Sequence, residues 1–258
     1  TKILDMYGEH QIKTGDWIVY TSADSVFQIA ANEDIIPLEE LYHACKIARE
    51  IAMDDKWKVG RVIARPYIGT KEGHFTRTSN RHDYALAPFS KTALDSLKDA
   101  GLDVIGVGKI PDIFVDQGIT RKIKTVSNED GMNKTIELAS DNFNGLAFIN
   151  LVDFDAVYGH RRNAAGYGKE FDVQLGELIN ELKNDDLLMV TADHGNDPTY
   201  RGTDHTREQV PLIIYSKQFN EMKVLNDGDS FGIIGSTICY NFNVKYNGIG
   251  SSILELLK

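Results

Sequence analysis

Cysteine is scarce in this chain. Its 258 residues hold two, Cys45 and Cys239, which are too few and too far apart for a disulfide framework. They read as free thiols of a reducing compartment, the cytoplasm, in patterns that look helical and half buried. Basic charge is also short: Lys and Arg total 28 against 38 Asp and Glu, a formal net charge of −10. Without a basic surplus to neutralise phosphates, the balance argues against a nucleic-acid partner. Small phosphorylated ligands remain open, because a few local Arg and Lys residues with metal ions can hold them. No apolar run approaches the roughly 20 residues of a membrane span, and no signal peptide opens the chain. An initiator Met is missing too. Thr1-Lys2-Ile3-Leu4 enters an amphipathic helical pattern at once, which reads as a start inside a longer protein. Nothing points to an obligate protein partner.

What remains is an ordinary globular composition, 42% apolar and 26% charged, in a chain long enough for one large domain or two small ones. Strand and helix patterns alternate. Residues 17–23 and 59–68 read as strands, with a helix over 37–53 between them and Pro37 in its first turn. Gly, Thr, Ser, Asn and Arg over 69–83 mark a loop. Past Pro88, helices are expected over 92–100, 131–142, 171–183 and 230–242, and strands over 102–107, 146–152, 187–191 and 211–215. Strands separated by helices favour a mostly parallel sheet covered on both faces, an α/β fold. Ligands of such sheets bind beyond the carboxyl ends of the strands.

Two strand ends carry chemistry. One apolar run leads into Asp153-Phe154-Asp155 and then Gly159-His160. The other leads into Asp193-His194-Gly195, with His205 following on a polar, Gly-containing loop. If the two strands are neighbours, Asp155, His160, Asp193 and His194 converge and His205 reaches back. Five nitrogen and oxygen ligands exceed what one zinc needs, so a pair of divalent ions is the economical reading. Mixed imidazole and carboxylate donors suit Mn²⁺, Zn²⁺ or Fe²⁺ better than Mg²⁺. A single D-H-G is an ordinary surface turn; the convergence of two strand ends and a third His carries the argument. Asp153 competes with Asp155 as ligand, because a two-residue offset keeps both on one side of an extended chain.

Basic residues come second. Arg61 and Arg65 share a strand face, and Arg77 and Arg81 follow on the next loop, where planar guanidinium groups suit phosphate clamping. A solvated charged face explains them equally well. Lys109 lies just past a strand end, where either a phosphate or plain solvent would meet it. Thr21-Ser22-Ala23-Asp24-Ser25 offers polar groups for sugar hydroxyls, or a helix cap.

Together these motifs resemble the phosphopentomutases of the alkaline phosphatase superfamily, over nearly the whole chain. The resemblance is carried by V-Y-T-S-A-D-S-V at 19–26, G-R-V-I-A-R-P at 60–66, T-R-T-S-N-R-H-D-Y-A at 76–85, N-L-V-D-F-D-A-V-Y-G-H-R-R at 150–162 and T-A-D-H-G-N-D-P-T-Y-R-G-T-D-H-T-R-E at 191–208. D-H-G alone is shared across the superfamily; its combination with D-F-D…G-H-R-R and T-S-A-D-S is far more specific. The resemblance implies an alkaline-phosphatase-like α/β core, of which 87–258 would be the C-terminal part, and a smaller α/β cap domain at 1–86. It implies two Mn²⁺ ions, one on Asp155, His160 and His205 and one on Asp193 and His194. Ser22, Asp24, Val26, Arg61, Ile63 and Arg77 would line the sugar-phosphate pocket, with Lys109 on the core side. The implied reaction interconverts ribose 1-phosphate and ribose 5-phosphate, and the deoxy forms, through a phosphorylated threonine, with a bisphosphate sugar as activator. The family's N-terminal core segment supplies that threonine and a further Asp ligand, and neither lies in these residues. The first core strand would then be missing from the sheet, and residues 167–172 read a few positions short. Related metal-dependent phosphatases, phosphoglycerate mutases and an inactive sugar-phosphate-binding fragment are the alternatives.

Overall fold

The computed structural model describes residues 2–22, 26–54, 56–57, 59–202 and 204–257; the side chains of Ser22, Phe171 and Val173 fall outside that description. Two compact units divide the chain, Thr1–Ala87 and Pro88–Lys258.

In the first unit, helix α1 (Lys2–Thr14) precedes strands β1 (Ile18–Ser22) and β2 (Val26–Asn32), helix α2 (Leu38–Ile51), and strands β3 (Arg61–Ile68), β4 (Thr76–Arg77) and β5 (His82–Ala85). The sheet is mixed: β2 and β3 run parallel, while β1 pairs with β2, and β4 and β5 with β3, antiparallel. Alternation along each strand gives the sheet two different faces. Ile29, Ala31, Val62 and Ala64 pack under α2 against Leu41 and Cys45. Ile18, Ala30 and Tyr67 pack under α1 against Leu4, and Phe75 joins them. The expected loop over 69–83 therefore holds β4 and the start of β5, which are too short and polar to stand out. Strand β2 went unread because Gln28 and Asn32 interrupt its apolar run. Both are buried, and both side chains are satisfied: Gln28 Oε1 accepts from Arg65 Nε (2.9 Å), and Asn32 Nδ2 donates to Gly69 O (2.8 Å).

The second unit runs α3 (Ala93–Asp99), β6 (Asp103–Val107), α4 (Ile110–Ile113), β7 (Arg121–Ile123), α5 (Asn128–Ser140), β8 (Gly145–Ile149), a π-helical turn (Phe154–Gly159), α6 (Ala164–Glu181), β9 (Leu188–Thr191), β10 (Leu212–Tyr215), α7 (Gly232–Asn241) and α8 (Leu254–Leu257). Strands β7, β6 and β8 form a parallel sheet. Val104 packs with Leu94, Leu97 and Cys239 of α3 and α7, whereas Ile105 and Val107 pack with Leu138 of α5. Helices thus cover both faces, and the fold is α/β. Strands β9 and β10 pair antiparallel, apart from that sheet.

Three expectations need correction. The helix read from 171 starts at Ala164, where the Asn163 side chain accepts from Gly166 N (3.0 Å); Gly166 and Gly168 had masked its first turns. Cys45 and Cys239 are buried, at 0% and 1% exposure, rather than half buried. Burial pushes the Cys45 thiol up to about 12. Among the described residues β8 and β9 share no ladder, so their ends meet without the strands pairing.

Candidate metal centre

The site grows from the carboxyl ends of β8 and β9. After β8 the chain tightens into the π-helical turn, which carries Asp155 and leads directly to His160. Asp153 looks elsewhere. Its carboxylate accepts from Asn128 N (2.8 Å) at the start of α5, while Asp153 N donates to Asn128 Oδ1 (2.9 Å). A carboxylate at a helix N-terminus meets both unpaired N–H groups and the positive end of the dipole. That reciprocal pair occupies Asp153 and leaves Asp155 facing the imidazoles.

After β9, Asp193 and His194 open a loop that folds back on itself. An antiparallel bridge joins Gly195 to Thr206, with Thr206 N donating to Gly195 O (3.1 Å) and Asp197 N to the Thr206 hydroxyl (2.7 Å). The bridge returns His205 to His194: their rings stack with centroids 3.8 Å apart, and the His160 ring stacks on His205 with centroids 4.9 Å apart.

Asp155, His160 and His205 offer ligand atoms that all lie within 4.8 Å of one another. His160 Nε2 and His205 Nε2 stand 3.4 and 3.3 Å from Asp155 Oδ1. Two imidazoles and one carboxylate, partly exposed and leaving space for further ligands, match the donor set of a divalent transition metal. Asp193 and His194 form a separate pair, Nε2 to Oδ2 3.7 Å, beside the triad. The Asp193 side chain is 76% exposed and stands outside the triad. Asn196 was not singled out from the sequence, yet its Nδ2 donates to Asp155 Oδ1 at 2.6 Å. An amide offers no periodicity to read; its position after D-H-G was the only signal.

Lys109 is exposed and directly follows Gly108 at the end of β6. Gly108 has φ +75° there, and a Cβ would stand 2.6 Å from Asn150 O, so the turn needs glycine.

In the first unit, register gathers the remaining candidates. Ser22 pairs with Val26, and Val26 with Arg61. Arg61, Ile63 and Arg65 alternate onto one face, and Ile63 is 2% exposed between the two guanidinium groups. Arg61 Nη1 lies 3.5 Å from Asp83 Oδ2, Arg81 donates twice to Asp83 (2.6 Å each), and Arg77 Nη2 donates to Tyr20 Oη (3.2 Å). Burial holds the Arg65 pKa below its ordinary value, and Arg81 and Arg77 push it the same way. Several guanidinium groups crowding one carboxylate make this an electropositive surface. Asp24 lies outside the described residues, as does the side chain of Ser22.

The chain is 58% identical to phosphopentomutases of Clostridium beijerinckii and Clostridium botulinum, over 262 residues each, and to that of Clostridium tetani over 264. Each alignment covers 100% of this chain and 66% of the relative, so the chain spans about two-thirds of the length of the curated relatives it matches. Residues 3–246 match the model of the Metalloenzyme superfamily, and the chain belongs to that family.

Proposed function

We propose that the full-length protein is a phosphopentomutase, interconverting ribose 1-phosphate with ribose 5-phosphate and the corresponding deoxyribose phosphates. The observation that carries this reading is the Asp155–His160–His205 cluster with His194 stacked on it. The sequence similarity to phosphopentomutases supports the choice of substrate.

Asp155, His160 and His205 would hold one divalent ion, and Asp193 and His194 a second, Mn²⁺ by this reading. When bound, such ions neutralise charge on a phosphoryl group in transfer and lower the pKa of a nucleophile. The phosphoryl-carrying threonine and one further Asp ligand would come from outside these residues. Arg61 and Arg77, with Ser22, Asp24, Val26 and Ile63, would hold the sugar phosphate, and Lys109 would meet phosphate oxygens. Guanidinium groups grip the non-reacting phosphate in a fixed fork, so binding energy remote from the reacting atoms orients the sugar. Mn²⁺, a bisphosphate sugar activator and a cytoplasmic location complete the reading, with no nucleic-acid, membrane or obligate protein partner.

The test is turnover by the full-length protein with Mn²⁺, comparing ribose 5-phosphate with 3-phosphoglycerate and a simple phosphate monoester. Ribose 1-phosphate formed from ribose 5-phosphate supports the proposal. Exclusive turnover of 3-phosphoglycerate, or hydrolysis alone, would assign the site to a sister reaction. The coverage of the relatives favours one further reading for these 258 residues by themselves, a sugar-phosphate-binding piece without turnover. Mn²⁺-dependent binding of ribose 5-phosphate with no product would support that reading.

A further inference from the structure

We infer that Arg162 and Asn196 form a positioning relay that sets the Asp155 carboxylate and holds the loop bearing His205. The inference rests on the metal-binding reading of Asp155, His160 and His205.

The two segments that supply those side chains are joined by one guanidinium group. Arg162 follows His160 by two positions. Its Nε donates to Gly202 O (2.6 Å), its Nη1 to Asp197 O (2.6 Å) and Asn196 Oδ1 (3.1 Å), and its Nη2 to Asp204 O (2.9 Å). These acceptors lie along the loop that runs from His194 to His205. Arg is donor-only and planar, so it can fix several carbonyls at once, which a Lys ammonium on a flexible stem does not do.

The bond to Asn196 Oδ1 also decides which way that amide faces. With its oxygen turned to the guanidinium, Asn196 presents Nδ2 to Asp155 Oδ1 at 2.6 Å. An amide turned the other way would set N–H against N–H at Arg162 and oxygen against carboxylate at Asp155. The relay therefore has a direction: Arg162 orients Asn196, and Asn196 orients Asp155. Hydrogen bonds of this kind to ligating groups tune metal affinity.

Two backbone features serve the same contact. Arg162 has φ +56°, a left-handed conformation that a residue with a Cβ adopts at a cost. Gly159 lies against Asn196, where a Cβ would stand 2.5 Å from its Nδ2. A side chain at 159 would displace the amide from Asp155. The G-H-R-R stretch thus carries a ligand, the space for the orienting amide, and the arginine that aims it.

The test is Mn²⁺ titration followed by the electron paramagnetic resonance signal of free Mn²⁺, with melting of each metal-free variant measured in parallel. Asn196→Ala and Arg162→Lys are each expected to weaken Mn²⁺ binding about 10- to 100-fold. The double variant should be little weaker than Arg162→Lys alone, because both act through one contact chain. Arg121→Lys, which alters an exposed pair with Asp141, should bind as the parent does. A staple acting only through stability would lower the melting temperature and leave the affinity of the folded protein unchanged. Should Arg162→Lys melt early, Asn196→Ala decides. Parent-like Mn²⁺ affinity in Asn196→Ala, beside lost binding in His205→Ala, would overturn the relay. A parent that binds no Mn²⁺ would overturn the metal reading itself, and the relay with it.

Discussion

Strand β3 in the first unit and strands β8 and β9 in the second all carry mostly apolar residues, β3 with Arg61 and Arg65 among them, yet they live in different surroundings. Strand β3 has β2 on one side and β4 and β5 on the other, and its Val62 and Ala64 are fully buried. Strand β8 pairs with β6 and β9 with β10, and neither has a second partner among the described residues. Leu146, Ala147, Ile149, Leu188, Met189 and Val190 are all only half buried, and Phe148 is 37% exposed. An apolar run therefore reports the tendency to be buried; the neighbours decide whether burial happens. Both β8 and β9 lead into the metal cluster.

The largest effect expected of any single change is at the open end. His205→Ala should abolish mutase activity together with metal content, and Asp193→Ala should do the same; full activity with unchanged metal in either variant contradicts the assignment. Packing should separate the two regions next. Leu41→Ala, at a fully buried position under α2, should cost about 2–5 kcal/mol in denaturant unfolding. Met189→Ala on half-buried β9 should cost under about 1.5 kcal/mol in these residues alone. Equal costs would mean that β9 is sealed after all. Arg61→Ala should leave metal content intact and raise KM for ribose 5-phosphate about 10- to 100-fold, the range of one charged hydrogen bond. Loss of metal in that variant would place Arg61 in the wrong role.

The smallest effect concerns Asp95 in the capping box of α3. Burial alone would raise its pKa, but hydrogen bonds from Gln117 and from the Thr92 backbone and hydroxyl, with Lys91 nearby, bring it below the ordinary carboxylate value. Its stabilisation is therefore complete above the unfolded-state value of about 3.9 and lost as pH falls through the lower folded-state value. Asp95→Asn should cost about 1 kcal/mol at neutral pH, and the difference should vanish in strong acid. A constant difference across pH would deny the carboxylate that part.

Much of this was legible in the residues. Strand β6 is a short apolar run closed by Gly108, and the helix expected over 92–100 is α3, which the structure shows capped by Thr92 with Asp95. The ligand motifs stood out because Asp and His recur at two strand ends. Other features depended on tertiary contact. Gln28 and Asn32 are polar yet sit inside β2, because Arg65 and the Gly69 carbonyl satisfy their side chains there. The choice between Asp153 and Asp155 needed the partner at Asn128, which lies 25 positions earlier in the chain than Asp153. Asn196 has no periodic pattern, only its place after D-H-G, and the fold alone brings it to Asp155.

The account stands on Asp155, His160 and His205 gripping one cation. Anomalous diffraction at the manganese edge, from crystals grown with Mn²⁺, tests this directly. The account predicts a peak at about 2.0–2.3 Å from a carboxylate oxygen of Asp155 and a ring nitrogen of each histidine. A strong manganese peak elsewhere, with these three side chains left unligated, would contradict it.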